Sequence, residues 1–313
     1  MIGDGPILTE FEVSCAEAAF YNEWPWLPSA NSNTAVSLPR LRSLTLQFTP
    51  FKWSSPMLQT NLRSLNLRAL PTNHLPLDRI LYIISSNPHL EVLSLHFSAV
   101  LPAILPLSPI SLPELTELSL GGHYLLSQLA ESLVLPSINR LNLDIEARDP
   151  IEDTIQNLLA RSNNPSLGHL SVAYSNSSSP SFYYGPGGVV ISWAVLSDLT
   201  HLQTLHIGGT PLEPLLTALG PPDEEQTHWA CPNLVSLALK NCHSHSDGVA
   251  KLVQMVDARN PDAASSALIV NGVAPAKLKQ LELYDCASLG QDVVKWLKGR
   301  IEEVLWTEPT YER

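Results

Sequence analysis

The sequence predicts an α/β chain built by repetition: a solenoid of about eleven short parallel strands joined by helical or extended returns. Three observations predict it. Leucine supplies 54 of the 313 residues. Only 15 % of the residues are charged, against roughly a quarter in an average soluble domain. One pattern, Leu-x-x-Leu-x-Leu, recurs from end to end, usually introduced by Leu-Pro or an Asn/Pro pair. A chain so rich in leucine has much apolar surface to bury, and a repeated unit buries it by stacking on its neighbours.

Nine copies are clear, beginning at Leu41, Leu62, Leu90, Leu115, Ile138, Leu167, Leu202, Leu234 and Leu278; Leu41-Arg-Ser-Leu44-Thr-Leu46 is representative. Weaker copies stand at the ends, Leu8-Thr-Glu-Phe11-Glu-Val13 and Ile301-Glu-Glu-Val304-Leu-Trp306, as terminal repeats do. In Leu44-Thr45-Leu46 the leucines point to one side of a strand and the threonine to the other. The first leucine of each copy turns inward as the chain enters the strand. Successive starts lie 33, 21, 28, 25, 23, 29, 35, 32, 44 and 23 residues apart. The intervals of 21 to 29 fit the ordinary leucine-rich repeat, and the longer ones carry insertions. The expected architecture is a right-handed leucine-rich-repeat horseshoe with its strands inside the curve.

Several returns read as amphipathic helices. Asp149-Pro150-Ile151-Glu152 is a cap, a first-turn proline and a capping-box glutamate ahead of the apolar face Ile151, Ile155, Leu158 and Leu159, and Asn163-Asn164-Pro165 stops it. Similar faces are Ile80, Leu81, Ile83 and Ile84; Leu212, Leu215, Leu216 and Leu219, ending at Gly220; Val249, Leu252, Val253 and Val256 behind Ser246; and Val293, Trp296 and Leu297, with Lys298 and Gly299 at the end. The repeats at Leu41 and Leu115 are too short or too rich in proline for a full helix and should return as extended chain or a single turn. The domain reading is a single leucine-rich-repeat domain over 1–313. Within it, residues 1–37 form an atypical N-terminal repeat or cap, 175–188 a flexible Ser/Gly/Pro loop, and 287–313 a C-terminal cap.

A net charge of -12 and a pI near 5.2 argue against binding nucleic acid or anionic membrane, since both need surplus Lys and Arg. The most apolar stretch, Val100 to Leu112, is cut by Pro102, Pro106 and Pro109 and is too short to span a bilayer. Four cysteines are too few to staple the chain, and Met1-Ile2-Gly3-Asp4 does not begin a secretion signal. The expected location is cytoplasmic or nuclear. No Gly-x-Ser-x-Gly elbow, His-Glu-x-x-His helix or kinase signature occurs, so the expectation is a protein that is not an enzyme and holds no cofactor.

The strand positions that alternate with the core leucines should line the concave surface. The middle column runs Thr45, Asn66, Ser94, Ser119, Asn142, Ser171, His206, Ala238 and Glu282. Flanking positions add Arg68, His96, Glu117, Arg140, Asp144, His169, Lys240 and Tyr284, a surface of mixed sign. Asn66, Arg68, His96, Glu117, Arg140, Asn142, Asp144, His169, His206, Lys240, Glu282 and Tyr284 are the candidate protein-binding residues. Phe182, Tyr183 and Tyr184 are candidate loop anchors that either order on binding or pack back onto the solenoid. Cys242-His243-Ser-His245 holds zinc-type ligands, but the repeat already accounts for Cys242 as a small side chain filling the turn, and no metal is expected. Asp223-Glu224-Glu225 reads as a solvated loop, and Gly185-Pro-Gly-Gly188 lacks the lysine of a phosphate-binding loop.

The copies at Leu234 and Leu278 extend to Leu-x-x-Leu-x-Leu-x-x-Cys, closing at Cys242 and Cys286. With Leu234-Val-Ser-Leu-Ala-Leu-Lys-Asn-Cys242 and Leu278-Lys-Gln-Leu-Glu-Leu-Tyr-Asp-Cys286, the chain resembles the leucine-rich-repeat region of fungal-type F-box proteins. That resemblance covers nearly the whole chain at the level of pattern. It implies a scaffold that presents substrate to a ubiquitin ligase, the F-box module docking on the Skp adaptor of a cullin. The sequence departs from the family at its start: a repeat-like copy begins at Leu8, and Cys15 to Trp26 is too short for a three-helix F-box. The expected function is therefore a protein-interaction scaffold without the F-box module, with a leucine-rich regulator of a small GTPase as the alternative.

Overall fold

In the structure, a computed structural model, the described residues are 7–15, 38–49, 55–69, 74–104, 106–146, 151–174, 193–222, 227–242, 244, 247–262, 268–286 and 288–307. Phe182, Tyr183, Tyr184, the 175–188 loop, Asp223-Glu224-Glu225, Asp149, Pro150, His243, His245 and Ser246 lie outside them.

The strands arise where the leucine alternation places them. They are β1 (Glu10–Ser14), β2 (Ser43–Gln47), β3 (Ser64–Arg68), β4 (Val92–Phe97), β5 (Glu117–Gly122), β6 (Arg140–Ile145), β7 (His169–Ala173), β8 (Thr204–Gly208), β9 (Ser236–Lys240), β10 (Gln280–Tyr284) and β11 (Glu303–Thr307). All eleven belong to one sheet whose strand order is the order of the sequence. Pairing is parallel and keeps one repeat in step with the next: Leu44 lies opposite Leu65, Leu65 opposite Leu93, and Leu93 opposite Leu118. Further along, Leu170 faces Leu205, Leu205 faces Leu237, and Leu237 faces Leu281. The ladder already forms just after the first leucine of each copy, where Arg63 N donates to Arg42 O, Glu91 N to Arg63 O, Gln203 N to Gly168 O and Val235 N to Gln203 O. A register fixed this way keeps every leucine on the core side, because a one-residue slip would turn all of them to solvent.

All three core positions of all nine clear copies are at most 2 % exposed. In the terminal copies Phe11, Val13, Val304 and Trp306 are only half-buried.

The returns carry helices α1 (Leu77–Ser85), α2 (Leu126–Glu131), α3 (Ile151–Arg161), α4 (Leu212–Leu219), α5 (Gly248–Arg259) and α6 (Gln291–Arg300). The expected apolar faces of α1, α3 and α4 are buried. Asn163 and Asn164 stop α3 by entering the left-handed region, at φ 63° and 49°, and Asn164 N donates to Leu159 O at 2.8 Å. Glu152, read as a capping-box residue, is buried, and its carboxylate accepts a hydrogen bond from the backbone N–H of Trp193. The repeat at Leu41 returns through a single 3₁₀ turn (Pro56–Gln59), as its length requires, whereas the repeat at Leu115 fits the six-residue α2.

Two helix faces differ from the expectation. In α5 the buried side chains are Leu252, Met255, Val256 and Arg259, while Val249 and Val253 are half-buried, and Asp247 rather than Ser246 stands at the N-cap. The face is rotated because Arg259 is drawn inward. Its guanidinium donates to Leu219 O (2.9 Å), Cys231 O (3.2 Å) and Ala230 O (2.6 Å) and lies 5.5 Å from the Trp229 ring. Three carbonyls, one at the carbonyl end of α4, replace the water it has lost. In α6 only Leu297 is fully buried, Val293 and Trp296 being half-buried, while Lys298 and Gly299 lie in its last turn as expected.

The chain divides into two compact units. Unit 1 comprises Met1–Ile138, Asn142–Glu146 and Asn157–Pro165; unit 2 comprises Asn139–Leu141, Ala147–Gln156 and Ser166–Arg313. In unit 1 the buried Asn87 joins repeats: its Oδ1 accepts from Leu62 N at 2.8 Å, and its Nδ2 donates to Leu58 O and Ile83 O. In unit 2 Asn260 does the same for Leu278, through both its N–H and its carbonyl, and also donates to Arg300 O. No helix among the described residues is long and apolar enough to cross a membrane.

Candidate functional site

The side of each strand opposite the leucines carries three columns that the parallel register aligns. In the middle column Thr45 is opposite Asn66, Asn66 opposite Ser94, and Ser94 opposite Ser119. In unit 2 it runs Ser171, His206, Ala238 and Glu282. These are the residues the sequence assigns to the column, in the same order.

In unit 1 a cluster forms around His96 on β4. Arg68 is its partner in the β3–β4 register, Gly121 its partner on β5, and both Arg68 and Asp144 act on it electrostatically. A side chain at Gly121 would sit 2.4 Å from the imidazole Nδ1 of His96, so the glycine is what lets the ring lie over β5. Burial, and then the Arg68 charge, lower the imidazole's affinity for a proton; Asp144 works in the other direction. The Arg68 guanidinium lies 4.6 Å from the Phe48 ring. Asn66 on β3 and Glu117 at the start of β5 are half-buried, as is Asn142 in the middle column of β6.

In unit 2 the cluster centres on His169 and His206, whose rings meet edge to face at 4.9 Å. His169 is pushed down to about 4 by burial, by His206 and by Arg140. His206 is also lowered, by burial first; Glu282 pulls it up, and Lys240 and Arg140 push it down. Both rings are therefore shifted toward their uncharged form. Lys240 Nζ lies 5.3 Å from the Tyr284 ring, and Gln280 Nε2 donates to Glu282 Oε1 at 2.7 Å. Small residues stand among them, Ala173, Gly208 and the buried Ala238.

Arg68, His96, Asp144, Glu117, Asn66 and Asn142 thus fall within unit 1, and Arg140, His169, His206, Lys240, Glu282 and Tyr284 within unit 2. Sequence reasoning misses the role of Gly121, for which the only signal is a glycine in a strand position, and it misses the histidine pair because His169 and His206 are diagonal neighbours, not direct register partners. Among the described residues no group of three or more His, Cys, Asp or Glu is placed to hold a metal ion. Cys242 is buried at the close of its repeat, with Sγ 3.4 Å from Lys240 O and 3.6 Å from Ile207 O. No family model and no curated protein matches the chain.

Proposed function

We propose that the protein is a non-catalytic protein-interaction scaffold, a right-handed leucine-rich-repeat solenoid that binds through the solvent side of its strands. The observation that carries this reading is the contrast across each strand: a core made almost entirely of leucine, and opposite it aligned, largely half-buried or exposed columns of differing chemistry. Columns of this kind suit an extended protein surface, with Tyr284, Arg68, Arg140 and the imidazoles as the side chains best able to anchor it. In a narrower form, the protein is the substrate-recognition part of a ubiquitin ligase of the Skp–cullin type. The two cysteine-closed repeats, each ending in a buried cysteine just after a residue in the left-handed region, favour that form.

The test is a footprint. Proteins captured with the full chain are purified and added back one at a time. Acetylation of Lys240 and hydroxyl-radical oxidation of His206 and Tyr284 should then fall, while labelling of exposed return residues such as Tyr82 stays constant. Protection confined to the returns would contradict the reading. Failure of the full chain to bind purified Skp adaptor would remove the ligase form and leave the scaffold.

A further inference from the structure

Cys242 and Cys286 occupy the same place in successive repeats. Lys240 is opposite Tyr284 in the β9–β10 register. Each is followed by one residue in the left-handed region, Asn241 at φ 49° and Asp285 at φ 50°, so the chain leaves both strands by the same path. Each sulfur then lies against the carbonyl two residues back, 3.4 Å from Lys240 O for Cys242 and 3.1 Å from Tyr284 O for Cys286. Equivalent turns bring the thiols close enough for each to shift the other's hold on its proton. Both are free thiols. Adjacent strands stand about 4.8 Å apart, inside the roughly 4.4–6.8 Å between Cα atoms that a disulfide spans.

We propose that Cys242 and Cys286 form a dithiol–disulfide site, oxidised by a small hydroperoxide and reduced by exchange with a thiol. The Cys286 sulfur, as thiolate, attacks the terminal oxygen of the hydroperoxide. The O–O bond breaks, the leaving oxygen takes up a proton, and Cys286 becomes a sulfenic acid. The Cys242 sulfur then attacks the Cys286 sulfur, and its proton leaves with the departing hydroxide as water. With hydrogen peroxide, two thiols and one peroxide give one disulfide and two waters; two external thiols reverse the change and become a disulfide themselves.

The division of roles follows from the surroundings of each sulfur. The neighbouring Cys286 thiol, and then burial, hold Cys242 well above the ordinary thiol range. The neighbouring Cys242 draws Cys286 below that range, with burial opposing. Cys286 is also the more accessible, 7 % exposed against 2 % for Cys242. Cys231 supplies an internal control: it is fully buried, donates to Leu196 O at 3.3 Å, and burial pushes its thiol up to about 12. The new bond would strap the longest interval of the chain, the 44 residues from Leu234 to Leu278, and would tie together the ends of the strands that carry Lys240 and Tyr284.

The full chain is treated with hydrogen peroxide, alkylated under denaturing conditions and mapped by mass spectrometry without reduction. The expected result is a Cys242–Cys286 linked peptide, loss of two of the four alkylatable thiols, and a higher unfolding midpoint, all reversed by dithiothreitol. Cys286→Ser and Cys242→Ser should each abolish the linked peptide and the shift, and Cys231→Ser should keep both. Should either serine variant fail to fold, the map of the unsubstituted chain decides. Full alkylation of both cysteines after peroxide, a sulfinic acid without a linked peptide, or a link to Cys15 instead would overturn the proposal.

Discussion

In β4, Leu93 and Leu95 are at most 2 % exposed while Ser94 and His96 beside them are half-buried, and β8 divides the same way, with Leu205 and Ile207 inside and Thr204 and His206 outside. The core column is nearly one residue type from β2 to β10; the outer columns change from strand to strand. Stacking sets the first, because each leucine meets the equivalent leucine of the next repeat and a shared register demands a shared volume. Nothing in the stacking dictates the second. Stability belongs to one side of the strand, and the other side is left free to carry specificity.

The largest effect that tests this division is a core truncation. Leu118→Ala, fully buried opposite Leu93, should cost about 2–5 kcal/mol in denaturant unfolding. Val304→Ala, half-buried on the terminal strand, should cost less than about 1 kcal/mol; equal losses would mean that the interior repeats are not packed more tightly than the end. Next come two asparagines on opposite sides. Asn87→Ala leaves the buried Leu62 N–H and the Leu58 and Ile83 carbonyls without their partner and should cost about 2–3 kcal/mol. Asn66→Ala, on the solvent side, should stay within about 0.5 kcal/mol, and a large loss there would assign the outer column a structural role.

A smaller effect depends on pH. His169 is held down to about 4 in the folded chain against an ordinary value of 6.5. Above pH 6.5 neither state binds the proton. Between there and about 4 only the unfolded state does, so stability falls across that window and levels off below it. At a half-buried ring, solvent screening reduces the effect to about 1 kcal/mol. The stability of the unsubstituted chain relative to His169→Gln should therefore fall between pH 7 and pH 4.5; a difference independent of pH would show that His169 is not held uncharged by its surroundings.

The side of the strand that stacking controls is legible in the sequence, and the other only as a list of residues. The nine cores and the helices around Ile155 and Leu215 follow from apolar spacing, which reports burial directly. The same spacing misplaces the face of α5: it counts Val249 and Val253 as core and cannot count Arg259, whose burial depends on carbonyls of Leu219, Ala230 and Cys231 supplied by other segments. Asn87 and Asn260 are visible as the residues before prolines but not as clamps, since their hydrogen bonds reach into a neighbouring repeat. The column order on the solvent side is readable from alternation. The pairing of His169 with His206 is not, because it depends on ring orientation across a diagonal.

The central claim is that the outer columns bind protein while the inner ones hold the fold. The direct measurement is the dissociation constant for one purified partner, with the unfolding midpoint taken on the same samples, for the full chain and for the unit 2 variant carrying Arg140→Ala, Lys240→Ala and Tyr284→Ala. We expect binding at least about tenfold weaker, or roughly 1.4 kcal/mol, with the midpoint unchanged. Unaltered affinity in a folded variant would contradict the account.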